Sequence, residues 1–109
     1  MDAPRNKATI FNTAMPAANA DMLAADIAPE LSPGKLRIYI CISIAAKIYV
    51  SRTAGGVTVA ELCNGGADLT AASGYTFYTT WLAGETINIK SDDTGGDVIK
   101  MQIDEYWED

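Results

Sequence analysis

The chain has 109 residues, a formal net charge of −6, two cysteines and no histidine. That length holds one domain, and the missing histidine removes the commonest general base, zinc ligand and nucleophile partner together. The acidic balance sets the protein against the phosphate backbone of nucleic acid, and no apolar run approaches the ~20 residues a membrane helix needs.

Residues 1–33 read as an extended N-terminal arm. All four prolines of the chain fall there (Pro4, Pro16, Pro29, Pro33) among Ala, Asn and Asp. Proline lacks an N–H and restricts its predecessor, so any element between two prolines stays short. Lys7–Thr13 and Asp21–Ile27 are candidate edge strands. The mixed spacing of Met22, Leu23, Ala25 and Ile27 also allows a helical turn or two. The opening MDAPRNKATIF has no basic region followed by an apolar stretch, so no secretion signal is expected. Cytoplasmic assembly and reduced thiols at Cys41 and Cys63 follow, although the count alone permits one bridge.

From Pro33-Gly34 onward the pattern changes to strands and turns. Leu36, Ile38, Ile40, Ile42 and Ile44 alternate with Lys35, Arg37, Tyr39, Cys41 and Ser43, which predicts one long strand from Lys35 to Ala45. Lys47–Arg52 follows, then an Ala54-Gly55-Gly56 turn and a strand over Val57–Leu62. After Asn64-Gly65-Gly66 comes a short segment, Ala67–Ala71, anchored by Leu69. Tyr75–Leu82 places Tyr75, Phe77, Thr79 and Trp81 on one face and Tyr78 on the other. Glu85–Lys90 turns Ile87 and Ile89 inward, and the loop Ser91–Gly96 is expected to close a hairpin with Asp97–Tyr106. Short strands at this spacing predict an all-β fold over 34–109. It is an antiparallel β-sandwich or jelly roll of about eight strands, preceded by the arm.

Charge is unevenly placed. Residues 31–60 carry Lys35, Arg37, Lys47 and Arg52 and no acid, whereas 91–109 carry seven acids against Lys100. That asymmetry suits neighbours that meet end to flank, whether within one chain or between copies. It serves solubility equally well.

Candidate chemistry is sparse, and no enzyme is expected. Cys41 reads as a small packed side chain before a reactive thiol, and two distant cysteines make no zinc set. SDDTGGD (91–97) lacks the ligand register of a calcium loop and reads as an Asp-rich turn bonding its own backbone. Asp104 and Glu105 are adjacent on a strand, so they point to opposite faces and cannot act as one acid–base pair. No cofactor site is expected. The aromatics are the stronger signal: tyrosine and tryptophan with one wet edge are enriched where two surfaces meet. The candidate partner-contact residues are Ile10, Phe11, Met15, Met22, Leu23 and Ile27 on the arm, with Tyr39, Tyr49, Tyr78, Tyr106 and Trp107 on the body. The alternative reading has these rings finishing the two sides of a thin sandwich.

KLRIYICISIAAKIYVSR, GYTFYTTWLAGETINIK and VIKMQIDEYW, behind an Ala/Pro/Asn-rich leading segment, resemble the small jelly-roll capsid decoration (cement) proteins of tailed bacteriophages. The likeness lies in layout, and no binding motif transfers with it. It implies a non-enzymatic virion structural protein on the capsid surface, assembled in the host cytoplasm. Its partners would be the major capsid protein and itself, as a homotrimer before a dimer, bridging capsomers without covalent bonds and with no nucleic-acid or membrane partner. The alternative is a receptor- or carbohydrate-binding β-sandwich of a viral fibre or other surface appendage, for which Tyr75, Tyr78 and Trp81 are the densest aromatic cluster.

Overall fold

The isoleucine alternation that dominates the sequence becomes the central strand of a computed structural model, which describes residues 9–28, 34–82 and 84–107. In chain order the strands are β1 (Thr9–Ala14), β2 (Gly34–Ile42), β3 (Ile48–Ala54), β4 (Val57–Leu62), β5 (Gly74–Trp81), β6 (Thr86–Ser91) and β7 (Val98–Trp107). They form two antiparallel sheets, one ordered β1-β7-β2-β5 and the other β4-β3-β6. A two-sheet β-sandwich results, with Leu36, Ile38, Ile40, Ile42, Ile99, Met101 and Ile103 facing Ile48, Val50, Ile87 and Ile89 in one core. Each such side chain contributes about 1.5–3 kcal/mol on burial.

Three expectations change. Seven strands are described rather than about eight, because Ala67–Ala71 reduces to a single bridge between Leu69 and Ala46. One anchoring side chain, although fully buried, does not sustain a ladder. The long strand also ends at Ile42: the Ser43 hydroxyl accepts the Val98 N–H and the chain bends, which leaves Ile44 exposed. Finally, Ser91–Gly96 closes no hairpin, since β6 and β7 lie in different sheets. The loop crosses between the layers, with Asp93 accepting from the Gly95 N–H as an ordinary Asx turn.

The leading segment, expected to be an arm, folds onto its own body over residues 9–28. β1 pairs with β7, from Thr9 opposite Ile103 to Ala14 opposite Val98. The chain then crosses to the other sheet: Asn19, Met22 and Ile27 donate backbone N–H groups to the carbonyls of Ser91, Ile89 and Ile87 on β6. Met15, Met22 and Leu23 fill the space so closed and belong to the core, with Ile27 packed against it. These four were expected to touch a partner. They are packing residues instead, because the sandwich would otherwise gape between β7 and β6. One side of the molecule is sealed.

Candidate functional site

The opposite side, between β4 and β5, is where the sandwich stays open. Val57 and Val59 occupy core-facing register positions, opposite Ala54 and Arg52, yet are 66% and 62% exposed. Leu62 at the end of β4, Tyr78 on β5 and Leu82 just after β5 are exposed as well, and Leu62 and Tyr78 both border the gap. Five of the eight large apolar or aromatic side chains exposed among the described residues thus belong to β4, β5 or the residue after β5. A notch of about 90 Å³ opens there, and its walls include Ile38, Val50, Phe77 and Cys63.

The turn that builds this edge is dictated by sequence. Gly55 and Gly56 have φ of 58° and 78°, the doubly left-handed geometry of a two-residue hairpin turn that L side chains resist. Ala54 and Val57 close the turn. β4 therefore leaves β3 without slack and stands as a bare edge.

A charged cluster spans the two sheets at the same side. Arg52, on β3, donates to Glu85 Oε1 at 2.6 Å, to Glu61 Oε1 at 3.2 Å, to Thr79 Oγ1 at 3.0 Å and to the Thr80 carbonyl at 2.5 Å. Thr79 in turn donates to Glu61 at 2.9 Å. The hydrogen bond from the guanidinium holds the Glu85 carboxyl below its ordinary value. Behind the cluster, burial and the nearby Glu61 charge push the Cys63 thiol up to about 12. It stays protonated at neutral pH, and both cysteines are free thiols.

The outer face of the four-stranded sheet offers a second surface. Arg37, Tyr39, Thr76, Tyr78, Gln102 and Asp104 line a shallow groove of about 340 Å³. Asp104 is 2% exposed and accepts from Arg37 at 2.6 Å and from Gln102 at 3.2 Å. Glu105 is buried on the other face, opposite Leu36. The two adjacent acids are separated by the sheet, and neither the Arg37 pairing nor their burial is visible in residue spacing.

Tyr39 lies across Gly74: a Cβ at position 74 would meet the Tyr39 hydroxyl at 2.7 Å and Cε1 at 3.0 Å. Gly74→Ala is therefore expected to destabilise the wild-type protein by about 1 kcal/mol. In a Tyr39→Ala background the sign should reverse, since alanine is then favoured over glycine in a strand. Urea midpoints of the four proteins in this cycle decide it. Equal effects in both backgrounds would mean that the ring does not rest on that glycine.

Of the residues expected to meet a partner, Tyr39 and Tyr78 are exposed and share this groove, and Tyr49 is half-buried on β3 opposite Leu62 and Lys90. For Ile10, Phe11, Tyr106 and Trp107 only backbone positions fall within the described residues, with Ile10 opposite Gln102 and Tyr106 opposite Lys35. Of the aromatic cluster offered for sugar, Tyr75 and Tyr78 lie on opposite faces of β5, and the Trp81 side chain falls outside the described residues. Tyr75 stacks on Phe77 against the core and its hydroxyl accepts the Thr70 N–H, while Tyr78 looks outward. The chain matches no family model, no curated protein and no solved structure. The Val57–Leu62 edge is the feature that sequence reasoning missed. Its signal was the absence of Lys, Pro or any charge before Glu61.

Proposed function

We propose that the protein is a structural assembly protein, a capsid decoration protein that binds the outside of a phage head as a homo-oligomer and braces it. The observation that carries this reading is the asymmetry of the sandwich: one side sealed by its own leading segment, the other exposing Val57, Val59, Leu62, Tyr78 and Leu82 along β4 and β5. Apolar and aromatic side chains gathered on one side of a small acidic domain mark a contact surface. Many weak copies on a symmetric shell hold firmly by multivalency. The bracing surface is then the open side and the adjoining tyrosine groove, in place of the arm.

Co-sedimentation of the full chain with tailed-phage heads stripped of accessory protein tests this. Saturable binding, reduced at least tenfold by Tyr78→Ser with Leu62→Ser, is the expected result. Heads that sediment without the protein, while it is retained on immobilised glycans, would transfer the function to the receptor-binding class.

A further inference from the structure

We infer that β4 is a self-pairing edge: two copies of the chain join antiparallel through Val57–Leu62 across a two-fold axis at Val59. The result is a continuous six-stranded sheet, β6-β3-β4 followed by the partner's three strands in reverse order. This rests on the reading of the open side as a contact surface, and it names the first occupant of that surface.

The backbone specifies a strand as the occupant. The two-residue turn makes Ala54 and Val57 a hydrogen-bonded pair, and such pairs alternate along an antiparallel ladder. Val57, Val59 and Glu61 therefore spend their N–H and C=O groups on β3. Those of Thr58, Ala60 and Leu62 point to the unpaired edge.

Two of the other three edges, β6 and β5, are treated differently. Residues 19–27 bond to β6, and on β5 the Thr80 carbonyl is occupied by Arg52. β4 carries no lysine, proline or covering segment among the described residues, the usual guards of an exposed edge.

Charge selects a second copy as the partner. In a chain of net charge −6, most self-contacts set acid against acid. From Thr53 to Ala60 there is no charge at all. With the axis at Val59, Thr58 faces Ala60 of the partner subunit in a hydrogen-bonded pair, and the two Val59 side chains meet. Glu61 then faces Val57 of the partner subunit, with its charge already engaged by Arg52. No like charges are opposed, and the valines that water now touches become covered.

Light scattering on the full chain and cysteine cross-linking together test the pairing. Wild type should have twice the monomer mass at high concentration, and Val59→Lys should return it to monomer with an unchanged far-UV spectrum. Val59→Cys should oxidise to a disulfide dimer, because Cα atoms in a non-hydrogen-bonded pair are about 4.5 Å apart, within disulfide reach. Val57→Cys should not, since the two copies of that position sit roughly 13 Å apart in this register. A monomeric wild type, or Val57→Cys cross-linking as fast as Val59→Cys, overturns the pairing. Head binding by a protein that stays monomeric overturns the pairing alone. A β4 dimer that ignores phage heads leaves the pairing standing and removes the decoration function.

Discussion

Deleting residues 1–28 is expected to unfold the protein rather than free a folded body from an arm. The deletion removes β1 from the edge of β7 and the backbone hydrogen bonds that residues 19–27 make to β6. It also strips Met15, Met22 and Leu23 from the core. Those three side chains alone represent about 4.5–9 kcal/mol of burial, against a total stability of about 5–15 kcal/mol for a domain. Asn88 adds to the loss. Its buried side chain accepts the Leu23 N–H at 3.0 Å and donates to the Leu23 carbonyl at 3.1 Å and to Asp26 Oδ1 at 2.8 Å. Without that segment Asn88 and two strand edges face water. The truncated chain should lose its cooperative urea transition or precipitate, read by circular dichroism and light scattering beside the full chain. A truncated body with the wild-type midpoint would show that the leading segment is only laid on, not built in.

This outcome differs from the sequence expectation for a physical reason. Strands with strict alternation announce themselves, because burial of one face imposes a two-residue period. β2, β6 and β7 all carry it, and their inward residues were legible down to Ile87, Ile89, Ile99 and Met101. The stretch from Met15 to Ile27 has no such period. It bonds to β6 at scattered points, through the Asn19, Met22 and Ile27 N–H groups, and presents its apolar side chains at irregular intervals. Composition marked it as an arm, while nothing local revealed which surface would receive it.

The candidate site was legible in part. Tyr39 and Tyr78 alternate away from core residues, so their exposure could be read directly, and the register brings them to one groove. The bareness of β4 was signalled only by its lack of lysine, proline or charge before Glu61, and the exposure of Val57 and Val59 depends on where the other sheet ends. Sheet order is a non-local property. The same holds for Arg52. Its partners Glu61, Thr79 and Glu85 lie 9, 27 and 33 residues away, and an isolated arginine inside a strand of Ile, Val and Ser reads as a surface charge.

Arg52→Ala is expected to cost about 3 kcal/mol, the largest loss from any single charged residue on the open side. Arg52 and Glu85 are nearly enclosed, with side chains 16% and 12% exposed, and removing the guanidinium leaves Glu61 and Glu85 without their shared cation, holding only the Thr79 hydroxyl and the Leu82 N–H. Arg52→Lys should recover under half of this, because one ammonium cannot reach both carboxylates, Thr79 and the Thr80 carbonyl at once. The loss should depend on pH in a determined direction. In the folded protein the Glu85 carboxyl is held below its ordinary value of 4.5, so the contact stabilises fully above that value and fades as pH falls through the lower folded value. The gap between wild type and Arg52→Ala in urea midpoint should therefore be widest at neutral pH and narrow in acid. A gap that stays constant into acid would show that the arginine acts through packing of its stem, with Glu85 a bystander. A gap that narrows would make Arg52 the clasp that holds β4 and β5 at a fixed spacing, and so fixes the shape of the side that meets other subunits.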